Sequence, residues 1–123
     1  MSTKRSVTLT TVGRRSGQPR TVTLYAFGDG DDLVVVGSAG GAPADPSWVD
    51  NLRAQARASV TVGKTTRDVQ AREVDGSERE RLWALVVDGF PLYATYQRRT
   101  ARMIPLFVLA APGQLPPSRS PAR

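Results

Sequence analysis

The sequence contains neither cysteine nor histidine, and these two absences exclude most of the side-chain chemistry that small enzymes use. Without cysteine there are no disulfides, no thiolate nucleophiles and no thiolate-ligated zinc or iron–sulfur sites. Without histidine, the usual catalytic triads and most transition-metal sites lack their base or ligand. Any redox activity would therefore have to be carried by a bound organic cofactor.

Clustered carboxylates and long apolar runs are also scarce. The one dense acidic group, Asp29, Asp31 and Asp32, lies in a Gly-Asp-Gly-Asp-Asp segment typical of a tight hairpin and lacks the ligand spacing of a calcium loop. No run approaches the roughly 20 apolar residues of a membrane span, and residues 1–5 lack the apolar core of a signal peptide. We therefore expect no metal site, no stable membrane anchor, and a soluble, cytoplasmic protein.

Positive charge is abundant. Seventeen Lys and Arg against eleven Asp and Glu give the 123-residue chain a net charge of +6, and its pI is about 10.7. This balance favours an acidic partner, whether nucleic acid, an anionic membrane or a polyanionic small molecule. The length predicts one domain, which we place at residues 1–112. Residues 113–123 are rich in Pro, Ser and Arg, and we expect this tail to be disordered.

Hydrophobic periodicity predicts short antiparallel strands with a few helices, and so a small α+β barrel. For the first helix, Asp45 is the expected N-cap, with Pro46 at the first helical position. For the second, Ser77 and Glu80 form an expected capping box. The predicted strands cover residues 7–12, 20–27, 33–36, 59–63, 67–74 and 104–111, and a further short helix covers residues 92–99.

Residues 13–20, Gly-Arg-Arg-Ser-Gly-Gln-Pro-Arg, join the first two predicted strands and are called the arginine loop below. Glycine allows successive backbone N–H groups to converge on one point. Arginine adds a planar, permanently charged fork that matches phosphate or carboxylate oxygens two at a time. The pattern indicates an anion site, with a solvated hairpin tip as the alternative.

Three further features are candidates for a site. The glycine pair after Ser38 and Ala39 permits close approach of a ligand, although a flexible turn explains it as well. Trp48 and Asn51 lie one turn apart near a helix start, where core packing for the first and structural hydrogen bonding for the second are the alternatives. The phenols at positions 93 and 96 are candidate proton donors, or else simply packed side chains.

Five motifs in this order resemble the deazaflavin-dependent nitroreductase family of actinobacteria, over roughly residues 7–112. Several separated motifs in one order are more specific than any one of them. They are residues 9–20 (LTTVGRRSGQPR), 40–41 (GG), 48–52 (WVDNL), 93–97 (YATYQ) and 100–105 (TARMIP). The resemblance implies a split β-barrel of mostly antiparallel strands with two or three flanking helices. It also implies binding of coenzyme F420, a deazaflavin with a phosphodiester and a polyglutamate tail, and an acidic cofactor agrees with the basic charge.

By position, the resemblance implies that Arg14, Arg15 and Arg20 hold the phosphate and tail, together with Ser16 and Gly17. The positions that would line the deazaflavin and its linker are Thr23, Val36, Ser38, Ala39, Gly40, Ser47 and Trp48. Those that would hold the substrate are Phe90, Tyr93 and Tyr96, and Tyr93, Tyr96 or Ser38 would stabilise or protonate the product anion. Better-known members carry tyrosine at position 90, lysine at 39 and proline at 23.

The resulting hypothesis is an F420H2-dependent reductase that transfers a hydride to an electron-poor small molecule such as an enone, a quinone or a nitro compound. One alternative keeps the barrel and binds FMN instead. A weaker alternative is a non-enzymatic nucleic-acid-binding domain, supported only by scattered basic residues at positions 53, 57, 64, 67, 98 and 99. We expect a small-molecule partner and no nucleic acid, and the sequence leaves a homodimer open.

Overall fold

Six antiparallel strands close into a barrel in the computed structural model, which describes residues 3–113. The strand order around the barrel is β1-β2-β3-β6-β5-β4, with β4 pairing back onto β1. The elements are β1 (Lys4–Val12), β2 (Pro19–Asp29), β3 (Asp32–Val36), α1 (Ser47–Ala54), β4 (Arg57–Val62), β5 (Thr65–Glu73), α2 (Gly76–Gly89), α3 (Leu92–Arg98) and β6 (Leu106–Ala110), with a 3₁₀ turn at Ala39–Gly41. This architecture confirms the predicted α+β barrel; the expected tail falls almost entirely at residues 114–123, outside the described part.

Hairpins make three of the six strand pairings. The arginine loop connects β1 to β2, and two-residue connections join β2 to β3 and β4 to β5. The other three pairings are long-range: β1 with β4, β3 with β6, and β5 with β6. Short turns rich in Gly and Asp account for the hairpins, whereas the long-range pairings depend on burial of apolar side chains on the barrel's inner face.

Two apolar cores lie on opposite faces of β3 and β6. Leu33 and Val35 of β3 point into the barrel with Phe107 and Leu109 of β6. The alternate positions face α2 and α3 and include Val34, Val36, Leu106 and Val108. A strand buried on both faces carries a continuous apolar run, and this explains why residues 33–36 and 106–110 show no polar alternation.

Both predicted N-caps are wrong. Helix α1 begins at Ser47 with Pro46 as its N-cap, and the Asp45 carboxylate makes no cap hydrogen bond; it instead accepts hydrogen bonds from two arginines. Helix α2 begins at Gly76 with Asp75 as its N-cap, so that Ser77 falls inside the first turn. In the first case long-range ion pairs engage the Asp45 side chain, which would otherwise be a good local cap. In the second case the helix begins two residues before the predicted start.

Candidate active site

The arginine loop is held closed by its own backbone and one hydroxyl. Gly13 N donates to Gln18 O at 2.8 Å, and Gly17 N donates to Gly13 O at 2.8 Å. The Ser16 hydroxyl accepts hydrogen bonds from Gln18 N at 3.1 Å and from Arg20 Nη2 at 3.3 Å. A Cβ on Gly13 would lie 2.7 Å from Ser16 Oγ, so this position requires glycine. The loop is therefore shaped without any ligand.

Asn51 of α1 ties the arginine loop to the barrel. Its side chain is only 3% exposed. Its Oδ1 accepts from the backbone N of Arg14 at 3.1 Å and from Arg14 Nη1 at 3.0 Å, and its Nδ2 donates to Thr11 Oγ1 at 3.1 Å. The Arg14 guanidinium also donates to Ser47 O at 3.4 Å and lies 4.0 Å from the Asp50 carboxylate. These contacts confirm the structural interpretation of Asn51, and they engage Arg14 in the scaffold.

A cavity of about 470 Å³ opens between the arginine loop and the start of α1; we call it the arginine cavity. Among residues 3–113, no carboxylate lines this cavity. The Arg15 guanidinium has no hydrogen-bonding partner within residues 3–113, and Arg20 donates only to Ser16. Free N–H groups at the first turn of α1 add partial positive charge at the same place. Six predicted cofactor residues line this cavity: Arg14, Arg15, Ser16, Arg20, Ser47 and Trp48.

A second cavity, of about 480 Å³, lies beside the first and is called the aromatic cavity below. Val22, Pro46 and Trp48 line both cavities, so the two adjoin along these residues, and we call them together the groove. Polar N–H donors occupy one end of the groove and aromatic rings the other. The remaining predicted residues that line the aromatic cavity are Thr23, Val36, Ser38, Ala39, Gly40, Phe90, Tyr93 and Tyr96.

An aromatic cluster combines Tyr25 of β2 with three residues of the α2–α3 region, Phe90, Tyr93 and Tyr96. Phe90 lies edge-on to Tyr25 at 5.3 Å, to Tyr93 at 4.9 Å and to Tyr96 at 6.3 Å between ring centroids. Such edge-to-face pairs stabilise one another beyond simple burial. The cluster thus gives the aromatic cavity a preorganised wall carrying phenol groups.

Tyr93 presents a protonated phenol to this cavity. It is 4% exposed, and burial raises its pKa above the ordinary value, with smaller contributions from Tyr25 and Tyr96. Within residues 3–113, every fully buried side-chain polar atom has a hydrogen-bond partner. The Tyr93 hydroxyl has no partner among these residues, so it is not fully buried. The hydroxyl therefore reaches the cavity as a neutral hydrogen-bond donor.

One predicted site residue lies outside both cavities, and several lining residues, Tyr25 among them, were not predicted. Gly17 lines neither cavity, and its φ of +72° serves the turn. Tyr25 lines the aromatic cavity but was predicted only as a strand residue. Because alternate strand residues share a face, the cofactor assignment of Thr23 already placed Tyr25 beside it.

Other classes of site are less well supported in the described part of the chain. No group of three or more acidic side chains in residues 3–113 is placed to hold a metal ion. The same residues include no helix that is long and apolar enough to cross a membrane. Of the scattered basic residues, Arg53 is paired with Asp45 and Glu73.

Comparison with known proteins identifies the family. The sequence profile of the F420H(2)-dependent quinone reductases matches residues 1–111. The chain belongs to this family. The F420H(2)-dependent quinone reductase Rv1261c of Mycobacterium tuberculosis is 38% identical over 107 residues, which span 85% of this chain and 72% of the relative.

Two solved structures share the fold at 41% sequence identity. One is an F420-H2 dependent reductase, FDR-A, with a TM-score of 0.78 over 85% of this chain and 92% of that chain. The other is described as a domain-swapped dimer, with a TM-score of 0.79 over 85% of this chain and 78% of that one. Membership of the F420H(2)-dependent quinone reductase family confirms the predicted resemblance, the oxidoreductase class and F420, rather than FMN, as cofactor.

Proposed function

We propose that this protein reduces quinones with F420H2 and that the groove holds cofactor and acceptor end to end. The observation that carries the proposal is that the arginine cavity and the aromatic cavity adjoin at Val22, Pro46 and Trp48, which line both. The donor set fits the cofactor, because unpaired guanidinium groups suit a phosphate and glutamate tail and an apolar wall suits a planar ring.

The arginines of the loop have separate roles in this proposal. Arg15 and Arg20 bind the anionic tail, since their N–H groups are largely free. Arg14 shapes the loop, because its guanidinium already contacts Asn51, Ser47 and Asp50. The backbone N–H groups at Ser47 and Trp48 favour the phosphate by their dipole.

In the aromatic cavity, the bound cofactor would supply a hydride from its deazaflavin ring. Tyr93 then donates a hydrogen bond to the acceptor oxygen that gains negative charge. Its raised pKa keeps the phenol protonated. Tyr96 is only half-buried and exchanges protons with water, so it passes the proton that completes the hydroquinone. Ser38 lines the same cavity and adds a second neutral donor.

The test is a titration of the protein with F420 followed by tryptophan fluorescence, because Trp48, one of the two tryptophans, lines both cavities. We expect Arg15→Ala and Arg20→Ala to weaken binding about tenfold each at low salt, and less at high salt. Lys64→Ala is the matched control, since it removes the same charge from the exposed β4–β5 turn. Equal affinities for all four proteins would contradict the assignment of the arginine cavity.

Turnover is measured with F420H2 and menadione as the quinone probe. Tyr93→Phe should lower kcat by about tenfold to a hundredfold with little change in F420 affinity, because one hydrogen bond to the developing oxyanion is lost. If F420 binds and no quinone, enone or nitro compound oxidises F420H2, the proposed reaction is wrong. Unchanged kcat in both Tyr93→Phe and Tyr96→Phe would remove the role of the phenols.

Self-association remains a proposal. It is supported by the domain-swapped dimer among the structural relatives, which is 41% identical to this chain. Size-exclusion chromatography with light scattering distinguishes a 13.3 kDa monomer from a dimer.

A further inference from the structure

The motif at residues 100–105 takes no part in the site described so far, yet its arginine crosses to the groove. Arg102 lies between α3 and β6, and its side chain is only 15% exposed. Its Nε donates to Ala42 O at 2.9 Å, its Nη1 to Gly37 O at 3.1 Å and its Nη2 to Ser38 O at 2.8 Å. One guanidinium thus binds three carbonyls of the segment between β3 and α1, residues 37–46, which we call the β3–α1 loop.

This loop forms the wall of the groove, and it has an unfavourable backbone. Ala39, Gly40 and Gly41 have φ values of 45°, 64° and 86°. Glycine adopts a positive φ at little steric cost, whereas alanine does not, so Ala39 carries the strain of this turn. The segment also lies outside the strand ladder, so few of its carbonyls have backbone partners. A conformation of this kind persists only when other parts of the structure determine it.

The other end of the loop is fixed through Asp45. Its Oδ1 accepts from Arg102 Nη1 at 2.6 Å, and its Oδ2 accepts from Arg53 Nη1 at 2.8 Å. Arg53 in turn binds both oxygens of Glu73 on β5. Asp45 directly precedes Pro46, which is one of the residues that line both cavities.

Arg102 is itself well placed to hold the loop. The side chain of Gln97 donates to Arg102 O at 2.7 Å and accepts from Ile104 N at 3.0 Å. Both contacts fix the backbone of the motif against α3. The guanidinium therefore extends from a rigid base.

We propose that Arg102, with Asp45, is a positioning residue that holds the β3–α1 loop in the conformation that receives the cofactor and orients Ser38. The expected effect of Arg102 on F420 binding rests on the proposed function, whereas its effect on the conformation of the β3–α1 loop does not. Only a planar fork can bind three carbonyls and a carboxylate at once, so lysine cannot substitute for it.

The experiment compares wild type with Arg102→Lys, Arg102→Ala and Asp45→Asn. Arg81→Lys is the matched control, because Arg81 makes a bidentate pair with Asp29 that does not involve the loop. Hydrogen exchange of residues 37–46 is measured without cofactor, and F420 affinity by Trp fluorescence. We expect Arg102→Lys to speed exchange of the loop at least tenfold and to weaken F420 binding about tenfold. Asp45→Asn should show smaller changes in the same direction, and Arg81→Lys neither.

Chemical rescue gives a second readout that general destabilisation would not produce. Guanidinium at low millimolar concentration should restore part of the F420 affinity of Arg102→Ala, whereas methylammonium should not. Unchanged loop exchange in both Arg102→Lys and Asp45→Asn would overturn the proposal, as would equal changes in Arg81→Lys. If wild type fails to bind F420 while loop exchange responds as expected, the proposed function fails and the positioning of the loop stands.

Discussion

Replacing Asn51 by leucine should destabilise the protein and remove the hydrogen bonds that hold the arginine loop against α1. Leucine has a similar size and fits the apolar surroundings of α1, so the change removes hydrogen bonds without leaving a large cavity. The groups that lose their partner are the backbone N–H and guanidinium of Arg14 and the hydroxyl of Thr11.

The three groups do not lose equally. The Arg14 guanidinium is 31% exposed and can turn to water. The Thr11 hydroxyl keeps Arg20 O as an acceptor at 3.5 Å. The partly buried Arg14 backbone N–H has no other acceptor within residues 3–113, and leaving such a group unpaired costs about 1–3 kcal/mol. With smaller losses from the other two groups, we expect the free energy of unfolding to fall by about 2–3 kcal/mol, or roughly 8–12 °C in Tm.

Urea unfolding followed by Trp fluorescence measures this loss, and Asn51→Asp is the informative partner variant. Aspartate keeps the acceptor for both Arg14 groups and offers the Thr11 hydroxyl an acceptor in place of the Nδ2 donor, so the stability of this variant should fall by less than about 1 kcal/mol. Its charge beside the arginine cavity should nevertheless weaken F420 binding about tenfold at low salt. An Asn51→Leu variant within about 0.5 kcal/mol of wild type, with unchanged m-value, would refute this account of Asn51.

Three further outcomes follow from the structure. Gly41→Ala should lower the free energy of unfolding by about 1–3 kcal/mol in thermal or urea unfolding, since φ is +86° and the new Cβ would lie 2.7 Å from Tyr96 O. Burial raises the pKa of Tyr93, so its phenol stabilises the fold below about pH 10 and stability declines above it; Tyr93→Phe should flatten that decline in urea unfolding at rising pH. Arg72 lowers the pKa of Glu78, so the pair stabilises the fold above about pH 4, and Glu78→Gln should reduce the loss of stability as pH falls through that range.

Local signals predicted the strands well and the caps poorly. Each strand shows either an alternation of apolar and polar residues or a short apolar run, because the pattern of a strand is contained in a few consecutive residues. Helix caps are different, because the preference of a residue for the N-cap position is weak enough for one ion pair to override it. Asp45 pairs with Arg102, 57 positions away, and no local pattern contains that distance.

The candidate site divides in the same way. The resemblance predicted about two thirds of the residues that line the groove, including Arg15, Arg20 and Tyr93. The sequence did not distinguish the role of Arg14 from that of the other arginines, because the Arg14 guanidinium is bound by Asn51, which only the fold places next to it. Strand alternation places Tyr25 on the same face as Thr23, but the packing of the α2–α3 region against β2 is what makes that exposed position a cavity wall.

By itself the sequence determined what chemistry is available. The absence of cysteine and histidine, the excess of basic residues and the order of five motifs depend on no coordinates, and together they lead to a polyanionic redox cofactor. Tertiary structure alone decided where that chemistry is performed. The long-range strand pairings place the arginine loop, α1 and α3 around one groove, and the resulting contacts decide which guanidinium groups remain free for a ligand and which support the fold.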